Sequence, residues 1–210
     1  MRKVSFCLLF FLLSFRTVFA REPDLMFADI ADYDKSIVLD IRYATTNNFT
    51  GKQVYPAARC LLRRDVAMRL LKVQEKLRGM GYRLIVFDCY RPLSVQKAFW
   101  AILLDERYVA DPAEGSRHNR GAAVDVSLAD STGKPLAMPT EYDDFSEKAS
   151  RSWKGSSAEA QGNAMLLETV MMAEGFIPFP SEWWHFDASG WEIYPVSDFP
   201  LEKTGGCGDD

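Results

Sequence analysis

Apolar residues recur along the chain at two spacings, and between them these lay out the fold. From Arg63 to Arg78, Val66, Leu70, Val73 and Leu77 return at steps of three and four, which predicts an amphipathic helix ended by Gly79 and Gly81. Ala158 to Ala173 repeats the pattern with Ala160, Ala164, Leu167 and Met171 on one face, closing at Gly175. Another helix is expected from Leu93 to about Glu106, opened by Pro92, with Val95, Phe99 and Ile102 turned inward.

The strand pattern is different. Tyr82 to Phe87 is too continuously apolar for an exposed edge and predicts an interior strand. From Gly121 to Leu128, Val124, Val126 and Leu128 alternate with Ala123, Asp125 and Ser127, so Asp125 points away from the apolar face. Ser36 to Tyr43 has the β-branched and aromatic content of a strand, and the turn Asp130–Pro135 should return the chain through Leu136 to Met138 as a hairpin. Pro178 and Pro180 delay the last strand to Trp183 or Trp184. Ala44 to Pro56 reads as a long loop and Thr140 to Ser156 as polar and irregular. These elements predict an α+β fold in a single domain: a mainly antiparallel central sheet with helices packed on it and a site in a cleft on the sheet.

Composition fits one domain, since 210 residues at 48% apolar content bury one core and are short for two. The first twenty residues stand apart. Arg2 and Lys3 precede an apolar run from Val4 to Phe15, and Val18-Phe19-Ala20 ends in the small-residue pattern of a secretory signal cleaved after Ala20. Arg16 keeps that run well under the ~20 residues of a membrane span, so no stable membrane anchor is expected. Cleavage leaves residues 21–210 as the mature domain, exported to the periplasm or another extracytoplasmic space. It removes Arg2, Lys3 and Arg16 and no acid, moving the formal charge from −4 to −7. An acidic chain without a basic run offers nothing to nucleic acid. Export also leaves Cys60, Cys89 and Cys207 where disulfides persist; Cys60 with Cys89 is the expected pair, because Cys207 falls in a Gly-rich tail, about 196–210, expected to be loose.

The chain holds two histidines, and each lies in a stretch with a carboxylate: Ser116-Arg117-His118-Asn119-Arg120-Gly121-Ala122-Ala123-Val124-Asp125 and Glu182-Trp183-Trp184-His185. A hydrolytic zinc needs three nitrogen or oxygen ligands and one open position, and His118, Asp125 and His185 are such a set. Glu182 then serves as general base and acid. On a regular strand Glu182 and His185 would face opposite sides, so either the segment bends between them, which the two prolines before it favour, or the glutamate approaches the metal's open position from the side. Arg91, at a strand-to-helix corner, is either an oxyanion stabiliser or a structural partner of Asp88. Tyr55 either faces a substrate or covers the core edge, and one acid of Glu141, Asp143 and Asp144 is placed to hold a substrate amine if it lies in a cleft.

Ser116-x-His118-x-x-Gly121-x-Ala123-x-Asp125 together with Glu182-x-Trp184-His185 resembles the zinc signature of the D-alanyl-D-alanine metallopeptidases. Asp40-Ile41-Arg42-Tyr43-Ala44-Thr45, Asn48-Phe49-Thr50-Gly51-Lys52 and Tyr90-Arg91-Pro92 are similar to the branch holding the VanX-type D-Ala-D-Ala dipeptidases. The resemblance implies one Zn2+ per chain on His118, Asp125 and His185, Glu182 as base and acid, and Arg91 stabilising the transition state. It implies that Ser116 meets the substrate carboxylate and that Tyr55 and Asp143 hold the free amine of a small D,D-dipeptide. Met138-Pro139-Thr140-Glu141-Tyr142-Asp143 departs from the family's usual Met-Gly-Thr-x-Phe-Asp around that amine pocket. A D,D-carboxypeptidase of longer wall peptides and a noncatalytic zinc-binding module are the competing readings.

Overall fold

The computed structural model describes residues 24–202; the expected signal sequence and Cys207 lie outside the described residues. The elements run β1 Phe27–Asp29, β2 Val38–Leu39, β3 Leu61–Arg63, α1 Arg64–Gly79, β4 Tyr82–Asp88, α2 Leu93–Ile102, β5 Ala123–Asp130, α3 Ala158–Ala173, β6 Phe176–Pro178 and β7 His185–Ala188. A five-stranded sheet has the order β2-β4-β5-β7-β6, with β2 parallel to β4 and the other pairs antiparallel. β1 and β3 form a separate antiparallel pair. The fold is thus α+β with a mainly antiparallel central sheet.

α1 and α3 pack on the sheet and on each other. Val66, Leu70, Val73 and Leu77 of α1 and Leu167 and Met171 of α3 are fully enclosed, as their spacing requires. Gln74 shares that buried face because its side chain is satisfied at both ends: its carbonyl accepts the Leu84 N–H at 2.8 Å and its amide donates to Ser36 Oγ at 3.0 Å. β4 is interior, flanked by β2 and β5. β5 is buried on both faces, Val124, Val126 and Leu128 on one and Asp125 and Ser127 on the other.

Several elements differ from the sequence pattern. The strand expected over Ser36–Tyr43 is regular only at Val38–Leu39, because Arg42–Ala44 tightens into a 3-10 turn that carries Tyr43 into the core. α2 stops at Ile102, where Leu103 turns extended; its inward face holds Phe99 and Gln96, while Ile102 is exposed. The hairpin return is a single bridge, Ala129 to Pro135. Phe176–Pro178 does form a strand, which its place at the sheet edge allows, since an edge proline needs no partner for its missing N–H. The chain expected to be loose from about 196 is tied down as far as Leu201, which is buried; Phe199 stacks on Tyr90 at 4.3 Å and Arg63 donates to Ser197 Oγ at 3.0 Å.

Candidate active site

His118 opens a 3-10 turn, His118–Arg120, that ends on Gly121 in the left-handed region at φ 67°. A Cβ at Gly121 would run into the Phe27 ring, so both conformation and space demand glycine there. The turn lets the chain reverse into β5 and present Asp125 beside His118. Asn119, fully buried, fixes it from below: its side-chain oxygen accepts the Ser116 N–H at 2.7 Å and its amide donates to the Arg91 carbonyl at 2.8 Å.

The third residue comes from the bend. Pro180 and Ser181 turn, Trp183 and Trp184 bend, and β7 starts at His185, whose register partner is Asp125. Arg151 clamps the bend by donating to the Phe179 carbonyl at 2.8 Å and the His185 carbonyl at 3.0 Å, and it pairs with Glu168 at 2.9 Å. Trp183 N–H donates to the Ala149 carbonyl at 3.0 Å. Glu182 therefore converges with His185, its Oε2 3.9 Å from His185 Nδ1.

His118, Asp125 and His185 each offer an atom within 4.8 Å of the others. The outward atom of each is engaged. His118 Nδ1 donates to the Cys89 carbonyl at 2.6 Å, Asp125 Oδ2 accepts from Tyr142 Oη at 2.9 Å, and His185 Nε2 meets Asp187 Oδ1 at 2.9 Å. That leaves His118 Nε2, His185 Nδ1 and Asp125 Oδ1 facing one point, with the two ring nitrogens 3.2 Å apart. Two imidazole nitrogens and one carboxylate oxygen turned to one point, each braced from behind, are a donor set that fits a divalent metal ion.

Charge is concentrated here. Burial opposes ionisation of Asp125, but His118 and then His185 hold its carboxyl below the usual range. Burial alone would depress His185, yet hydrogen bonds to Asp125 and Asp187 raise it to about 10. Burial, with Asp125 and Asp143 near, raises Glu182 to about 8; burial, then Asp125, raises Asp143 to about 7.

A cleft of about 90 Å³ joins these groups, lined among others by Tyr43, Arg91, Ser116, Asp143 and Trp184. Arg91 is the structural partner of Asp88 and also borders the cleft. Its Nε and one terminal nitrogen reach Asp88 Oδ2 at 3.1 and 2.7 Å, and the other terminal nitrogen reaches Gln96 at 2.8 Å. Asp88 sits where the β4–β5 register shifts, opposite Asp125, a displacement that turns the strand end toward the site. Ser116 borders the cleft and accepts the His118 N–H at 3.2 Å.

Tyr55 is the exception. It is buried beneath the cleft and donates to Asp88 Oδ1 at 2.8 Å, so it covers the core and supports Arg91 through Asp88. The tyrosine that meets Asp143 is Tyr43, whose hydroxyl lies 3.1 and 3.2 Å from the two carboxylate oxygens. Asp143 holds a positive φ of 61°, a strained conformation for a non-glycine residue at a cleft wall. Tyr43 was legible only as part of an expected strand. Asp187 carried a signal, because a residue two after a strand-borne ligand shares its face.

An α+β domain holding a His–Asp–His cluster with a glutamate at its side is the arrangement of a metallopeptidase. The family model Peptidase_M15, described as D-ala-D-ala dipeptidase, matches residues 24–200. The chain is 35% identical over 168 residues to the D-alanyl-D-alanine dipeptidase of Escherichia coli (strain K12), covering 80% of this chain and 87% of that one. It is 33% identical to the D-alanyl-D-alanine dipeptidase of Enterococcus faecium (78% and 92% covered) and 30% identical to that of Streptomyces coelicolor (83% and 98%). The chain belongs to this peptidase family.

Proposed function

We propose that the protein is a zinc-dependent D-alanyl-D-alanine dipeptidase, releasing two D-alanines in wall-peptide turnover or scavenging outside the cytoplasm. The convergence of His118, Asp125 and His185 with Glu182 at one small cleft carries this reading. His118 Nε2, Asp125 Oδ1 and His185 Nδ1 hold the zinc, which when bound supplies Lewis acidity toward the scissile carbonyl and acidifies water.

The chain's own residues do the rest. Glu182 takes the proton of the attacking water and delivers it to the leaving nitrogen. Arg91, fixed by Asp88 and Gln96, faces the developing oxyanion without needing to reorganise. Asp143, oriented by Tyr43, pairs with the substrate ammonium; that cation favours the charged form of a carboxyl that burial otherwise raises. Ser116 receives the substrate carboxylate. The Cys60–Cys89 disulfide and the N-terminal apolar stretch support an extracytoplasmic location. Among the described residues, no helix is long and apolar enough to cross a membrane.

The test is turnover by residues 21–210 of D-Ala-D-Ala, L-Ala-L-Ala and N-acetyl-D-Ala-D-Ala, with and without chelator. Cleavage of the free D,D-dipeptide, abolished by chelator and restored by zinc, is expected. A more open groove of about 680 Å³ shares Tyr108 and Phe179 with the cleft and is the feature that favours trimming of longer peptides. Equal rates on the acetylated substrate would select that carboxypeptidase reading, and no hydrolysis of any D,D-peptide by the zinc-loaded protein would select a noncatalytic zinc module.

A further inference from the structure

The outward atoms of the three proposed ligands are not held alike. His118 Nδ1 hydrogen-bonds a neutral backbone carbonyl, with the Asp88 carboxylate farther off at 3.7 Å, and Asp125 a neutral phenol, whereas His185 hydrogen-bonds a carboxylate, Asp187. Asp187 is two residues beyond His185 on β7, so both side chains leave the same face of the strand. With Asp187 Oδ1 2.9 Å from Nε2, that nitrogen is the one that keeps its proton when a metal is bound, and Nδ1 is the nitrogen turned toward Asp125 and His118.

The other oxygen of Asp187 has its own partner. Oδ2 lies 3.6 Å from Arg117 Nε, and Arg117 is seated over the Trp191 ring at 4.8 Å from its centroid. Among the described residues Arg117 Nε has no hydrogen-bond partner, and Asp187 Oδ2 is the carboxylate oxygen it approaches. Arg117 immediately precedes His118. The two segments that bear the histidines are therefore joined through Arg117 and Asp187 as well as by the β5–β7 ladder and at the cluster itself. Asp187 is not among the residues that line the cleft.

We propose that Asp187 is the positioning residue for His185, with Arg117 as its countercharge, and that this pair sets how tightly the site holds zinc. The proposal rests on the zinc reading above. An outer carboxylate that fixes a ligating imidazole is worth about 10- to 100-fold in metal affinity. Arg117 contributes by holding Asp187 in place and offsetting a nearly buried negative charge beside Asp125.

The experiment measures zinc affinity by competition with a chelating chromophore for the wild type, Asp187→Asn, Asp187→Ala, Arg117→Gln and the Arg117→Gln/Asp187→Ala double variant. Circular dichroism verifies folding, and the near-isosteric Asp187→Asn keeps the test open should alanine fail to fold. Asp187→Ala should weaken zinc by about 10- to 100-fold. Asp187→Asn, which still accepts the Nε2 proton, should lose less. Arg117→Gln should weaken zinc severalfold alone and add nothing in the Asp187→Ala background. The visible bands of the cobalt-substituted protein should shift in the Asp187 variants, and excess zinc should recover much of the turnover lost by Asp187→Ala. Wild-type affinity in both Asp187 variants, or an Arg117 effect undiminished without Asp187, overturns the proposal. A wild type that binds no zinc, or binds it equally after His118→Ala, instead overturns the ligand assignment beneath it.

Discussion

Glu182 Oε2 stands 3.9 Å from His185 Nδ1, although the two lie three positions apart in a segment that enters a strand. The bend at Trp183 and Trp184, clamped by Arg151, makes this possible. The proposed base and the proposed ligand thus approach one another from one short stretch of chain.

Glu182→Gln keeps the size of the side chain and removes the proton acceptor. It should lower kcat by about 100- to 10,000-fold, the range of a positioned general base, with zinc content unchanged by atomic emission. Loss of zinc in the variant would contradict the assignment, since it would make Glu182 a ligand.

The same glutamate gives the metal-free protein a pH signature. Burial raises its carboxyl from the ordinary 4.5 to about 8, so between those values the folded state holds a proton that the unfolded chain has released. Stability from this group is therefore present below the unfolded value and lost as pH rises through about 8. Metal-free Glu182→Gln should melt above metal-free wild type at pH 9, by about 5–10 °C, and the gap should close toward pH 5. Calorimetry on chelator-stripped protein reads this directly.

The cluster was legible because the sequence spends its two histidines on it and because Asp125 falls on the non-apolar phase of β5. Helix α3 was legible to the residue, since its spacing has no polar competitor. Tyr43 was not, because the 3-10 turn at Arg42–Ala44 breaks the period-two rule on which side-chain direction depends. The packed stretch up to Leu201 was hidden for a related reason: its anchors, Phe199 and Leu201, are isolated apolar residues among Ser, Asp, Pro and Glu, and periodicity says nothing about single residues docking on a distant surface.

Tyr43 and Tyr55 separate substrate binding from support. Tyr43→Phe removes the hydroxyl that orients Asp143 and should raise KM for D-Ala-D-Ala by about tenfold, the equivalent of one hydrogen bond to a charged group. Tyr55→Phe removes a buried hydrogen bond to Asp88 and should cost about 1–2 kcal/mol of stability with a smaller change in KM. Steady-state kinetics beside urea melts distinguish the two, and an exchange of these effects would restore Tyr55 to the amine pocket.

The Cys60–Cys89 disulfide links the residue before β3 to the residue after β4 across a sequence separation of 29, and both half-cystines are buried. Closing a loop of that length restricts the unfolded chain, which stabilises the fold by about 2–4 kcal/mol. Cys89 has a second task, since its carbonyl holds His118 Nδ1 and its N–H donates to Asp88 Oδ1 at 2.9 Å. Its backbone is thus a shared support for a proposed ligand and for the partner of Arg91. The Cys60→Ala/Cys89→Ala variant should lose about 2–4 kcal/mol in urea unfolding and, unlike a cross-link remote from the site, should also bind zinc more weakly under conditions where it remains folded. Equal zinc affinity in the folded variant would show that the backbone at Cys89 is held by β4 and the Leu61–Tyr90 hydrogen bond alone.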